Sequence, residues 1–172
     1  MTERLDELDQ RVKELRKAFD ETFASPATLP ERDWVELLLI SFGAPRFAVP
    51  VSQLAGIEAN RPIASLPAKR PGLIGLSAVH GGLVPVFDLG TLLGLPGRDG
   101  APRWMALHHE QELLALAFDY LEGFLRVAAR DVYPLESAPG VVHLTGQAIK
   151  VDSGLVYVVD IPSVVSAIRR GG

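Results

Sequence analysis

One motif occurs twice in this chain. Gly82-Leu83-Val84-Pro85-Val86-Phe87-Asp88-Leu89 returns as Gly154-Leu155-Val156-Tyr157-Val158-Val159-Asp160-Ile161, and Asp160 lies 72 residues after Asp88. Four further landmarks keep nearly that spacing: Trp34 with Trp104, Gly56 with Gly123, Gly75 with Gly146, and Leu92-Leu93 with Val164-Val165, at offsets of 67 to 72 residues. A period this long, present only twice, is not a solenoid, which needs at least about three stacked copies. It predicts a duplicated β half-domain, with Trp34 and Trp104 at equivalent edges.

Each copy of the motif reads as the second arm of a hairpin. In the first, the β-rich runs Leu76 to His80 and Leu83 to Phe87 flank Gly81-Gly82, a pair that tolerates the positive φ angles of a tight turn. Before it come apolar strands at Val35 to Phe42 and Phe47 to Val51, a strand at Gly56 to Ile63, and a proline-bearing loop at Ser65 to Gly72. After it, Gly90 to Gly94 forms a short helical turn, and the breakers between Pro96 and Pro102 mark the seam between halves. The second half repeats the order with strands at Arg103 to His109, Leu113 to Phe118 and Gly123 to Val127, a loop at Arg130 to Gly140, and a hairpin of Val141 to Val151 with Leu155 to Val159. Asp160 then caps a last helix, with Pro162 in its first turn, Val164, Val165 and Ile168 inward, and Arg169-Arg170 at the negative end of its dipole.

The first 24 residues follow another rule. Leu5, Leu8, Val12, Leu15 and Phe19 repeat at 3-4-3-4 spacing, which gathers them on one seam of an amphipathic helix. At about two and a half heptads the helix is short for an independent coiled coil, so it either packs on the body or serves a partner or a second copy. Residues 25–33, with Pro26 and Pro30, read as a linker, and the globular region spans 34–170.

Charge and composition narrow the function. With 172 residues, 48% hydrophobic, the chain is long enough for a substantial core, and the absence of cysteine removes disulfides, thiolate metal sites and thiol nucleophiles and fits a cytoplasmic location. The charged start does not read as a secretory signal, and the uncharged run Pro71 to Phe87 is broken by two prolines and four glycines, so no membrane insertion is expected. A net charge of −4 with no basic cluster argues against nucleic acid. Catalytic readings are weak. Asp88 and Asp160 each precede a helical turn and read as N-caps rather than an acid-base pair. His108 and His109, adjacent on a strand, point to opposite faces and cannot share a metal. No phosphate loop precedes a helix, and neither cofactor nor metal is expected.

From Trp34 to Ile168 the ordered pieces Leu73-Ile74-Gly75, Gly81 before Val84-Pro85-Val86-Phe87-Asp88-Leu89, Phe118-Asp119, Leu125-Arg126-Val127, and Leu144-Thr145-Gly146 before Val158-Val159-Asp160 resemble the CheW-like domain of bacterial chemotaxis. The resemblance implies a mainly β fold of two small five-stranded barrels about a hydrophobic junction, and a non-enzymatic adaptor linking chemoreceptors to the regulatory domain of a CheA-type histidine kinase or to other CheW-like domains. It implies partner contacts at Leu54, Gly56, Gly75 and His80 in the first half and at Gly123, Leu125 and Gly146 in the second. Typical members carry Asn-Leu-Arg-Gly where this chain has Ala78-Val79-His80-Gly81, and a polar or acidic residue where it has Gly56. Those departures and the N-terminal helix leave a second reading open, a repurposed module whose helix recruits another client such as a positioning or motility ATPase.

Overall fold

The unbroken apolar run Leu37-Leu38-Leu39-Ile40 is explained by burial on both faces. Successive residues of a strand point to opposite sides. Leu37 joins one hydrophobic cluster with Ala48, Ile149, Val156 and Val158, while Leu38 and Ile40 join a larger one with Phe47 and Val49. The run belongs to β1 (Trp34–Ser41). The computed structural model describes residues 33–67, 70–97, 100–135, 144–152 and 154–171. The seam residues Leu5, Leu8, Val12, Leu15 and Phe19 lie outside the described residues.

The remaining strands are β2 (Arg46–Pro50), β3 (Gly56–Ala59), β4 (Leu73–Val79), β5 (Gly82–Asp88), β6 (Trp104–His109), β7 (Leu113–Phe118), β8 (Tyr120–Ala128), β9 (Val132–Pro134), β10 (Thr145–Val151) and β11 (Gly154–Val159), with helices α1 (Leu89–Leu92) and α2 (Ile161–Arg170). They form a six-stranded sheet in the order β8-β1-β2-β11-β10-β9 and a five-stranded sheet in the order β3-β6-β7-β5-β4. The expected pair of five-stranded barrels is therefore corrected to sheets of six and five strands. The extra strand, β9, comes from the segment read as loop, where Tyr133 pairs with Ala148.

Neither sheet belongs to one half of the sequence. The hairpin β1-β2 of the first half is flanked by β8, β10 and β11 of the second, and the hairpin β6-β7 by β3, β4 and β5 of the first. The exchange follows the repeat at several positions. Val158 of β11 runs parallel to Ala48, as Val86 of β5 runs parallel to Ala115; Gly123 faces Leu39, as Gly56 faces Leu107. The tryptophans are not equivalent. β1 extends two residues further back, so Glu36, which pairs with Arg126 three residues beyond Gly123, occupies the place of Trp104, which pairs with Ala59 three residues beyond Gly56.

Each sheet encloses its own cluster, around Leu37 and Val158 in one and around Met105, Leu107 and Val86 in the other. The third and largest cluster lies between them, where Leu38, Phe47, Phe87, Leu116 and Phe118 meet both helices. Helix α2 buries Ile161, Val164, Val165 and Ile168 there, the stripe expected from its spacing. Pro85 is tolerated inside β5 because the parallel ladder to β7 begins at Val86, beyond its missing N–H.

The caps divide the two motifs. Asp88 caps α1, its carboxylate accepting from Thr91 N at 2.6 Å. Asp160 instead accepts from the Ser163 hydroxyl, and the first N–H of α2 donates to Gln53 Oε1 at 3.0 Å. The backbone oxygen of Gln53 also accepts from His108 Nδ1 at 2.7 Å, which fixes the ring proton on that nitrogen. Gln53 thus ties a 3-10 turn of the first half to β6 and α2. Gln53→Ala leaves the Ile161 N–H without its acceptor and is expected to cost about 1 kcal/mol, read as a lower urea midpoint at unchanged slope.

Candidate functional site

The seven contact positions implied by the resemblance do not form one patch. Three face inward. Gly75 is buried in β4, and a Cβ there would lie 2.2 Å from Ala64 O. Leu54 packs against the central cluster. Leu125 packs against the cluster of the six-stranded sheet. Gly75 is buried, while Leu54 and Leu125 are partly buried. Gly123 stands on the outer strand β8, and Gly146 is exposed at a bulge in β10, both with open space where a side chain would be.

His80 does meet the strand that carries Gly56, at Glu58, a residue that the sequence did not single out. Val79 pairs with Gly82, so the two-residue turn is His80-Gly81, with φ of 49° and 81°, rather than Gly81-Gly82. Two positive φ angles in succession make a type I′ turn, whose twist matches the flanking strands. The turn holds His80 Nε2 3.3 Å from Glu58 Oε1 on β3, and Glu58 also accepts from Arg61 Nε at 2.8 Å. A Cβ at Gly56, two residues before Glu58 on the same strand, would meet only Leu107, at 3.8 Å, so a side chain fits there.

The Arg61 hydrogen bond holds the Glu58 carboxyl below its ordinary pKa, with the charges of Arg61 and His80 adding to the effect and desolvation opposing it. The folded-state pKa lies below the unfolded one, so the contribution is present above the usual glutamate range and is lost as pH falls through the folded value. An NMR titration is expected to place the Glu58 midpoint below that of an unstructured glutamate, and Arg61→Ala to return it upward.

The surface also carries large apolar side chains in repeat-related pairs. Leu83 is 74% exposed and Leu155, its counterpart one residue after the hairpin glycine, is 56% exposed. Ile57 on β3 is 38% exposed and Phe124 on β8 57%. Ile57 pairs with Ala106 and Phe124 with Leu38, and both of those partners belong to the central cluster, so the two side chains continue its face beyond the covered region. The recurrence of leucine after glycine in both motifs was the visible signal; that both side chains face solvent required the strand order.

His108 is buried and His109 exposed, on opposite faces as their adjacency demanded. Among the described residues no cluster of three or more His, Asp or Glu side chains could hold a metal ion. Among them, too, no helix is long and apolar enough to cross a membrane.

Comparison with known proteins follows the architecture. No curated protein matches the chain. Among solved structures it is similar to the scaffolding protein TtCheW from Thermoanaerobacter tengcongensis, with a TM-score of 0.65 at 12% identity, over 73% of this chain and 88% of that one. The family model described as the CheW-like domain matches residues 36–169. Mainly β, with two strand-exchanged sheets and a match spanning most of its length, the chain belongs to the CheW-like domain family.

Proposed function

We propose that this protein is a non-enzymatic adaptor of a chemosensory system, coupling chemoreceptors to a CheA-type histidine kinase and to other CheW-like domains. The observation that carries the reading is the repetition of exposed apolar side chains, Ile57 with Leu83 on one sheet and Phe124 with Leu155 on the other. Isolated exposed leucines need no explanation. A duplicated fold that keeps one at the same place in both copies presents two related contact faces, which is what bridging requires. Gly56 and Gly123 stand one residue before Ile57 and Phe124 on their strands, and His80 lies in the turn that leads to Leu83.

The experiment is crosslinking in native cells followed by mass spectrometry. Kinase and receptor peptides joined near His80, Leu83 or Leu155 are the expected result. The departures at Gly56 and His80 favour one other reading, a CheW-like body whose residues 1–24 recruit a different client; peptides of an unrelated protein joined to that segment, without kinase peptides, would replace the coupling role. Leu83→Asp with Leu155→Asp is expected to leave stability within about 0.5 kcal/mol per site and to weaken kinase capture at least about tenfold, or about 1.4 kcal/mol. Undiminished capture would remove these faces from the interface.

A further inference from the structure

Beside the C-terminal end of α2 lies a cavity of about 160 Å³, bounded by β4, β5, β7 and the helix. Leu76, Phe87, Leu114 and Ile168 form its apolar wall, and Arg70 and Glu112 stand at its mouth. No ion pair joins Arg70 to Glu112. Among the described residues, Arg70 Nη2 reaches only the Ile168 carbonyl, at 3.4 Å. Arg169, also at the rim, is engaged by Glu110 at 3.2 Å.

The duplication supplies an internal comparison. The related cleft on the other sheet, about 540 Å³, is lined by Phe47, which corresponds to Leu114, and by Tyr157, which corresponds to Pro85. Its charged pair stands at other positions, Arg46 where the smaller cavity has Leu113, and is closed directly, Arg46 Nε lying 2.8 Å from Glu122 Oε2. At the smaller cavity the cation and the anion flank an apolar space and do not touch. A ligand that satisfies both must carry an anion and a cation close together and an apolar group of a few carbons. A guanidinium matches a carboxylate in geometry, a carboxylate accepts from an ammonium, and a cavity of this size holds a group no larger than about a benzene ring.

The geometry points to a binding site for a free aliphatic α-amino acid, with its carboxylate on Arg70, its ammonium on Glu112 and its side chain against Leu76, Phe87, Leu114 and Ile168. This site is separate from the exposed leucines and holds whether or not the coupling role does.

The test uses the full chain and L-leucine, followed by NMR of the isoleucine and leucine methyl groups and by calorimetry. Saturable shifts at Leu76 and Ile168 with a dissociation constant of about 0.1 to 1 mM are expected. Removal of either charge, in 4-methylpentanoic acid or 3-methylbutylamine, is expected to weaken binding at least about tenfold, as are Glu112→Gln and Arg70→Gln. Glu112 is exposed, so its replacement leaves the fold intact and its result is decisive. No saturation by about 10 mM L-leucine, binding of either singly charged analogue as tight as that of L-leucine, or an unchanged affinity in Glu112→Gln would each overturn the assignment.

Discussion

Chains cut between Gly97 and Gly100 are expected to be unfolded when separate and folded when mixed. The reason is the strand exchange. Fragment 1–97 contains β1 and β2 but none of β8, β10 and β11, which flank them, and contains β3, β4 and β5 but not β6 and β7, which join β3 to β5. Fragment 100–172 has the complementary defect. Neither can assemble a sheet, and each exposes its share of the central cluster, to which Leu38, Phe47 and Phe87 come from one side of the cut and Leu116, Phe118 and Val164 from the other. An isolated hairpin is marginal in water at best. Mixing restores every ladder, because the cut removes no strand and both cut ends are exposed. Circular dichroism and amide NMR are the measurements: dispersed spectra and cooperative unfolding only in the equimolar mixture support the exchange. Cooperative unfolding of either fragment alone would mean that a half folds by itself, which this pairing forbids.

The same exchange marks the limit of what the chain disclosed before its structure. Strand existence was legible because alternation and turn residues are local: β1, β2, β6 and β7 begin and end within a few residues of the apolar runs that announce them. The N-cap at Asp88 and the buried stripe of α2 were legible for the same reason. Pairing was not. Gly56 facing Leu107, or Tyr157 beside Phe47, joins residues far apart in sequence, and nothing local distinguishes a strand that pairs within its half from one that crosses over. The strand at Gly56 stops at Ala59 rather than Ile63, since Asn60 adopts a φ of 52°. For the candidate site, the sequence could supply Gly56 and His80, but the side chain that His80 meets, Glu58, emerged only when β3 was set beside the β4-β5 turn. Leu54 and Leu125 look no different in sequence from Leu83 and Leu155. The first pair packs inward and the second faces solvent.

Gly75→Ala is expected to be among the most damaging single changes in the chain, and Gly146→Ala among the mildest; the sequence spacing set these two glycines together, but by register Gly75, which pairs with Val86, matches Gln147, which pairs with Val158, and Gly146 matches Ile74. At Gly75 a Cβ would lie 2.2 Å from Ala64 O and 2.8 Å from Ile63 Cγ2. The oxygen belongs to backbone held in place by an isolated bridge, Ala64 N donating to Leu76 O at 2.8 Å and Leu76 N to Ala64 O at 2.9 Å. It cannot retreat without breaking both bonds. The residue also has a φ of +157° at the register shift between Leu73 and Gly75, so backbone and neighbour object together. A loss of roughly 3 kcal/mol or more follows, large against the 5–15 kcal/mol that holds a domain together. At Gly146, also on a bulge, nothing lies within 4 Å of the added methyl, and the change should fall within about 0.5 kcal/mol. Paired urea titrations measure the difference. A small loss at Gly75 would mean that the segment carrying Ala64 yields, and that the edge of the five-stranded sheet is softer than its two hydrogen bonds imply. A large difference establishes that two glycines alike in sequence spacing differ in steric duty, the buried one pressed against backbone and the exposed one against open space.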